Sequence, residues 1–230
     1  MNGVFIVGTD TGVGKTVVSG LLARFLQGKA IQTVTQKWIQ TGSNGFPDDI
    51  ATHLRFMGRK KQDLKDCLSH VCPYVFKFPS SPHLASCLER TRISPAKIKK
   101  SFHFLSKRFD FVVVEGVGGA LVPLNKENLL IDIAKDLDLP VLVVASNRLG
   151  SINHTLLTIE AIKKRNMDII GVVYNNQSRR GNRIILKDNP RIVKTLSKET
   201  ILGVLPWGKN KSNLTKAFVP MGNRILARLK

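Results

Sequence analysis

Gly8-Thr9-Asp10-Thr11-Gly12-Val13-Gly14-Lys15-Thr16 follows the apolar run Val4-Phe5-Ile6-Val7 and precedes a segment with apolar residues at helical spacing. Strand, glycine-containing loop and helix in that order read as a phosphate-binding loop. Small residues let successive backbone N–H groups close around phosphate oxygens, a lysine reaches the terminal phosphates, and a hydroxyl serves Mg²⁺. Gly12, Gly14, Lys15 and Thr16 supply these parts. The loop is a variant, because the place of the first glycine in the usual pattern is taken by Thr9, with Gly8 just before it. An ordinary strand-to-helix turn is the alternative, and the flanking strand and helix weigh against it.

After the loop, Val17, Leu21, Leu22 and Phe25 predict a helix over Thr16–Gln27, closed by Gly28, whose N-terminal dipole favours phosphate. Ile31–Thr35 is an expected second strand, running into Lys37-Trp38-Ile39-Gln40-Thr41-Gly42. Lys37 therefore falls where a strand gives way to loop, the ligand side of an open α/β sheet. Asp48–Met57 opens with two carboxylates and continues with Ile50, Leu54 and Met57 at helical intervals. Those carboxylates serve either the helix dipole or a metal. Pro73, Pro79, Pro82 and Pro95 break the region 59–108 into short pieces, of which Pro95–Lys107 is an amphipathic helix using Ile98, Phe102 and Leu105.

Phe109–Val114 has the character of a buried strand and delivers Glu115-Gly116-Val117-Gly118-Gly119 at its carboxyl end. A carboxylate there can reach the Mg²⁺ of a nucleotide held by the first loop; a plain strand end and flexible turn is the alternative. Pro140–Ala145 is the next strand, followed by Asn147–His154 and a helix with Leu156, Ile159 and Ile162 inward. Ile169–Tyr174 ends at Asn175-Asn176, paired amides that suit either a purine edge or loop support. Ile201–Trp207 is a short strand, and residues 208–230 close the chain with a helix. Alternating apolar strands and helices predict an α/β fold, a doubly wound, mostly parallel sheet with helices on both faces.

The 230 residues, 43% hydrophobic, suit one core and one domain spanning 1–230. Met1-Asn2-Gly3 runs straight into a strand, and no stretch approaches the roughly 20 apolar residues of a membrane span, so a cytoplasmic protein with no membrane partner is expected. Cys67, Cys72 and Cys87, without a close pair, read as reduced structural thiols. The formal charge of +20 comes from 36 Lys+Arg against 16 Asp+Glu. Much of it sits in Arg59–Lys61, Lys97–Lys100, Lys107-Arg108 and Arg179, Arg180 and Arg183. Such a balance favours polyanions, but aromatic residues are sparse near most of these clusters, so a single-strand-binding platform, and nucleic acid as a partner, are not expected.

Taken together the motifs resemble the dethiobiotin synthetase family of P-loop NTPase fold, from residue 4 to about residue 207. The resemblance rests on the loop at 8–16, Lys-x-x-Gln-Thr-Gly at 37–42, Ser-Pro-His at 81–83 and Val-Glu-Gly-x-Gly-Gly at 114–119, with Leu-Gly-x-Ile-Asn-His at 149–154, Asn175 and Pro206-Trp207. It implies closure of the ureido ring of dethiobiotin from 7,8-diaminononanoate, CO₂ and ATP with Mg²⁺, in a homodimer. The family's chemistry runs through a carbamate, whose oxygen takes the γ-phosphoryl group; the second amine then attacks the mixed anhydride and phosphate leaves.

Carried across by position, Gly12, Val13, Gly14, Lys15, Thr16 and Val17 would wrap the nucleotide phosphates, with Asp49, Glu115, Gly116, Val117 and Gly118 completing the cofactor site. Asn175, Asn176, Val204, Leu205 and Pro206 would hold the base. Thr16, Asp49 and Glu115 would ligate the metal, Asp49 being preferred over Asp48 because the residues after it align better with the family's helix start. Lys15 and Lys37 would be the catalytic pair, and Thr11, Lys37, Thr41, Leu149, Gly150 and Asn153 would meet the diamine, the last three across the dimer interface. No covalent nucleophile is needed, and none of the five histidines is expected in the chemistry. Two departures stand out: Trp38 where proline is common, and Gly12 where several members carry glutamate.

Two other classes share parts of this pattern. A DNA-associated partition or positioning ATPase has the same sheet and a variant loop, and the high charge is its support. That class resembles this chain less, because it carries a lysine five residues before the loop lysine, where Asp10 stands here. Amide-forming ATPases of the cobyrinate synthetase type usually carry a further glutamine-hydrolysing domain, for which 230 residues leave no room.

Overall fold

The computed structural model describes residues 2–179, 181–208 and 210–229. Met1, Arg180, Lys209 and Lys230, which fall in the expected domain, a basic cluster and the closing segment, lie outside the described residues. The chain starts with β1 (Gly3–Gly8) and α1 (Lys15–Gln27), then β2 (Thr33–Lys37), β3 (Ile39–Gln40) and α2 (Asp48–Met57). A 3₁₀ turn over Lys61–Leu64 leads to α3 (Leu68–Val71), β4 (Tyr74–Val75), α4 (Pro82–Leu88) and α5 (Pro95–Ser106). β5 (Phe111–Gly119), α6 (Leu130–Asp136), β6 (Val141–Ser146) and α7 (Ser151–Lys163) follow. The last elements are β7 (Ile169–Asn175), α8 (Arg183–Ser197), β8 (Ile201–Leu205) and α9 (Lys211–Arg228).

Six strands form one sheet in the order β2-β5-β1-β6-β7-β8, and every neighbouring pair is parallel. The expected doubly wound α/β architecture is what forms. Parallel strands need crossovers, and here helices supply them on both faces, so the strands are buried on both sides. Alternation along β1 sends Phe5 and Val7 into one apolar cluster and Val4 and Ile6 into the other. Phe102, Leu130 and Ile159 belong to the first cluster, whereas Leu21, Leu22 and Phe218 belong to the second. Between β1 and β2 the chain skips a strand position that β5 later fills, which leaves the carboxyl ends of β1, β2 and β5 around one crevice.

Two strands are displaced from their expected limits, for the same reason at each entry. Ile31 N–H donates to Leu26 O and Phe109 N–H to Leu105 O, so both residues still belong to the exits of the preceding helices. β2 therefore begins at Thr33 and runs through Lys37, in register with Phe111–Glu115. β5 does not stop before Glu115 but continues past it to Gly119, which pairs with Gly8 across a bulge. Glu115 is thus a strand residue, laterally adjacent to Lys37.

Helix α8 has no counterpart in the expected elements, and Pro190 in its interior is the cause. A proline cannot donate to the carbonyl four residues back. That carbonyl, Leu186 O, instead accepts from Asn147 Nδ2 at 2.9 Å, and Asn189 Nδ2 returns the contact to Asn147 Oδ1 at 3.1 Å. An amide from the end of β6 thereby repairs the helix and fixes it to the sheet.

The basic clusters are mostly exposed, as expected, but rings do lie beside them. Lys61 sits 4.4 Å from the Phe46 centroid, Lys97 4.4 Å from Tyr74, Arg108 5.3 Å from Phe104 and Arg179 5.2 Å from Trp207. Phe46, Tyr74 and Trp207 come from well outside the basic clusters they meet, whereas Phe104 lies four residues before Arg108. Each ring is covered by a cation of this chain, and Tyr74 is buried. Among the described residues no helix is long and apolar enough to cross a membrane.

Cys67 and Cys72 are buried and Cys87 is exposed. Burial pushes the Cys72 thiol up to about 12 and raises that of Cys67 as well. A raised thiol pKa removes thiolate, the reactive form, at any pH below it. We therefore predict that an aromatic disulfide reagent at mildly alkaline pH modifies one thiol rapidly in the native protein and three after denaturation. Rapid modification of a second thiol in the folded protein would contradict this placement.

Candidate active site

The loop between β1 and α1 is shaped by its glycines. Gly14 is the N-cap of α1 with φ of 103°, in the left-handed region, and no side chain caps the helix. α5, α8 and α9 differ, since Ser94, Asn182 and Asn210 accept from their first-turn N–H groups. The open amides at the start of α1 and the positive end of its dipole are left facing the crevice, which suits an anion. A Cβ at Gly14 would lie 2.2 Å from Asn175 Nδ2, an impossible contact. Asn175 closes on the loop this tightly because Nδ2 donates to Val13 O at 2.9 Å, while Gln177 Nε2 donates to Gly12 O. Two amides from the end of β7 thus hold two carbonyls of the loop.

Lys15 is buried and donates from Nζ to Asp10 O at 3.0 Å. Burial and then the Lys37 charge lower its pKa to about 8. Phosphate oxygens beside Nζ would favour the charged form again.

At the bottom of the crevice four side chains meet. Lys37 Nζ lies 2.8 Å from Glu115 Oε1, 2.8 Å from Asp49 Oδ2 and 2.9 Å from Gly116 O, so its three N–H donors are all engaged. Burial disfavours this ammonium, but Glu115 and then Asp49 outweigh it and raise the Lys37 pKa. Burial likewise opposes ionisation of Glu115, and the Lys37 charge together with the His53 contact overcomes it, holding the carboxyl well below the usual carboxylate range. Thr16 Oγ1 lies 3.0 Å from both Asp49 Oδ1 and Glu115 Oε1. One hydroxyl proton can serve one carboxylate at a time.

Three oxygen-bearing groups therefore converge with too few protons between them. That donor set fits a hard divalent cation such as Mg²⁺, which takes one or two carboxylates and completes its shell with water and substrate phosphates. Among the described residues no group of three or more His, Cys, Asp or Glu forms a self-contained metal cage, so the ligand's own oxygens would be needed. Asp48 faces elsewhere, accepting from Ser43 Oγ at 2.6 Å. The start of α2 is set by Gln40, whose Oε1 accepts from Asp49 N–H at 3.2 Å.

These groups line a cleft of about 710 Å³. Of the residues singled out from sequence, Thr11, Gly12, Gly14, Lys15, Thr16, Val17, Lys37, Thr41, Asp49, Glu115, Val117 and Gly118 border it. Pro79, Ser80, Ser81 and Pro82 form a further wall, in which Ser81 and Pro82 belong to the Ser-Pro-His motif and Pro79 and Pro82 are among the prolines that break up the region 59–108. Val13 and Leu205 point into the core and offer only backbone, Val13 O to Asn175 and Leu205 O to Asn176 N–H. Asn176 Oδ1 is engaged by Asn147 Nδ2 at 2.9 Å, and Asn176 and Val204 border a separate hollow against α8. Pro206 is exposed. Leu149, Gly150 and Asn153 lie outside the main cleft, at the exposed start of α7, with Leu149 78% exposed.

Sequence reasoning missed His53. It is fully buried, and Nε2 lies 2.7 Å from Glu115 Oε2. Its spacing four residues after Asp49 was the available signal, because such a pair shares one helix face.

The chain matches the family model described as an AAA domain over residues 2–215. It is 46% identical over 179 residues to the ATP-dependent dethiobiotin synthetase BioD of Chlorobaculum tepidum, covering 78% of this chain and 74% of that one. The protein of the same name from Thermodesulfovibrio yellowstonii is 37% identical over 212 residues, 89% and 88% of the two chains. Among solved structures, the cell division ATPase MinD of Pyrococcus furiosus superposes with a TM-score of 0.62 over 99% of both chains at 17% identity, a likeness of fold alone.

Replacing Gly14 with alanine tests the loop geometry. A non-glycine residue at this φ costs about 1–3 kcal/mol, before the collision with Asn175 is counted. Gly14→Ala should weaken nucleotide binding by at least about tenfold, read by titration with a fluorescent nucleotide. Unchanged affinity in a folded variant would contradict the description of the loop.

Proposed function

The chain belongs to the ATP-dependent dethiobiotin synthetase family, and from that membership we propose that the Lys37 cleft is where it makes dethiobiotin from 7,8-diaminononanoate, CO₂ and ATP. The protein is an ATP-using enzyme of biotin biosynthesis. One observation carries the assignment of the site: a buried ammonium held by two carboxylates directly beneath a phosphate loop. Phosphoryl transfer to a carbamate asks for positioning and charge stabilisation, not for a protein nucleophile.

Gly12 to Val17 bind the phosphates, with the open amides of α1 aimed at them, and Lys15 neutralises charge on the transferring group. Thr16, Asp49 and Glu115 would hold Mg²⁺, which would supply charge neutralisation on the phosphate oxygens. The contact of Asp49 with Thr16 and Lys37, against that of Asp48 with Ser43, supports the choice of Asp49. Lys37 binds the carbamate oxygens and the incoming phosphoryl oxygens together. Its three donors are all in use, so it must release at least one of its present partners to do so. The carbamate and phosphoryl oxygens would then compensate the ammonium in place of the partner it releases.

Thr11 and Thr41 contact the diamine, both being on the cleft wall. Gly116, Val117 and Gly118 approach the phosphates. Asn175 reads the adenine beside the loop it braces, with Asn176 and the backbone of Val204, Leu205 and Pro206 behind it. Leu149, Gly150 and Asn153 reach the carboxylate tail of a substrate bound by the partner in a homodimer, a role that their exposure supports. Residues 1–230 work as one domain, in the cytoplasm. The DNA-associated reading shares only the fold, and Asp10 stands where that class carries its lysine.

Lys37→Ala should abolish release of ADP and phosphate that depends on both bicarbonate and diaminononanoate, by at least about 100-fold, with nucleotide binding largely retained. Substrate-independent hydrolysis at the wild-type rate in this variant would sink the assignment. Metal titrations of Asp48→Asn beside Asp49→Asn separate the two carboxylates. The defect is expected in Asp49→Asn, and one confined to Asp48→Asn would reverse the choice.

A further inference from the structure

Glu115 divides its two oxygens between two sides of the molecule. Oε1 faces the cleft, within 3.0 Å of Thr16 Oγ1 and 2.8 Å of Lys37 Nζ. Oε2 faces away from it and meets His53 Nε2 at 2.7 Å. Both partners of this second contact are buried, His53 at 0% and Glu115 at 1% exposure. An ionised carboxylate accepts hydrogen bonds and donates none, so His53 Nε2 carries the proton. The other ring nitrogen, Nδ1, is buried without a partner among the described residues.

We propose that His53 is a positioning residue of this enzyme: its Nε2–H pins Glu115 Oε2 and thereby presents Oε1 to the cation held with Thr16 and Asp49. The inference rests on the assignment of those three residues to the cation. Asp49 and His53 are four apart on α2 and share its inward face. One helix therefore supplies a carboxylate that borders the cleft and, one turn later, the group that orients the other carboxylate. Without the histidine, Glu115 is free to rotate about its last bond and can exchange its oxygens between Thr16 and Lys37. Packing alone does not account for an imidazole here. An apolar side chain would fill the space between α2 and β5 without burying an unpartnered nitrogen, whereas the polar edge of His53 is matched only by Glu115. Partners that hold a metal-ligating carboxylate in place characteristically affect metal affinity as well as rate.

The test uses Mn²⁺ and ADP with the intact protein, and needs no diamine. Mn²⁺ binding in the presence of excess ADP is measured by electron paramagnetic resonance for wild type, His53→Leu and His53→Gln, each checked for its melting transition. Glutamine places an amide N–H near the position of Nε2. His53→Leu is expected to weaken Mn²⁺ binding by about tenfold, and His53→Gln to return it to within about threefold of wild type. In turnover assays the Mg²⁺ concentration needed for half-maximal rate should rise in the leucine variant, with kcat at saturating metal changing less.

A folded leucine variant that binds Mn²⁺ as tightly as wild type would overturn the proposal, as would a glutamine variant as weak as leucine. Should His53→Leu not fold, His53→Met takes its place against His53→Gln under the same criteria. Wild-type protein that holds no Mn²⁺ with ADP would instead overturn the cation assignment beneath it, whatever the diamine assays show.

Discussion

The ion cluster of Lys37 with Glu115 and Asp49 is the constraint on which the site depends. Taking an ammonium and a carboxylate out of water costs several kcal/mol per ion, and the loss is offset only where the charges meet at close range with every donor satisfied. Here all three Lys37 donors are used, and Glu115 accepts on both oxygens. Parallel pairing makes this possible. The register of β2 on β5 sets Lys37 beside Glu115, and side-chain alternation turns both to the face covered by α1 and α2. The sheet is thus the device that places opposite charges at bonding distance, and α2 adds Asp49 from above. Removing Lys37 leaves Glu115 and Asp49 facing each other without a cation, and removing Glu115 takes away the more deeply buried partner of the ammonium, so these residues bear on stability as well as on chemistry.

The same ledger of charges bears on catalysis. One ammonium against two carboxylates leaves the cluster one charge negative, a balance that favours an additional cation beside it. Lys37 is the movable member, a point charge on a flexible stem. Glu115 is the fixed one, held inside a strand and from behind by His53. The site thus divides into a movable cation and a fixed anion.

Much of this was legible in the sequence because chemistry-bearing residues follow directly on apolar strands. The loop after Val4–Val7, Lys37 after its short strand and Glu115 after Val112–Val114 could each be placed at the ligand end of a parallel sheet before any coordinates. Local pattern fails where the cause is distant. Helix α8 is hidden by Pro190, and the carbonyl that the proline leaves open is satisfied by Asn147, about 40 residues upstream. The rings against Lys61, Lys97 and Arg179 come from Phe46, Tyr74 and Trp207, so cluster composition says nothing about them. His53 was passed over because Ile50, Leu54 and Met57 already accounted for the helix, and a buried histidine is invisible until its partner across the sheet is known.

Trp38 and Gly12 each have a physical setting of their own. Trp38 is fully buried, stacks on Phe5 at 5.2 Å between centroids, and donates from Nε1 to Gln36 Oε1 at 2.9 Å. Gln36 in turn donates to His70 O at 2.9 Å. Lys37 is therefore flanked on both sides by anchored residues. A proline at 38 would fix the backbone by its ring, whereas this chain fixes it by burying an indole whose polar atom is satisfied. Gly12 has a φ of 74°, and a Cβ there would meet open space. The bar to a side chain at that position is backbone strain rather than crowding, and the Gln177 amide that bonds Gly12 O steadies the same turn from outside the loop. In both places a hydrogen bond or a packed ring from elsewhere in the fold steadies the backbone beside a lysine of the cleft.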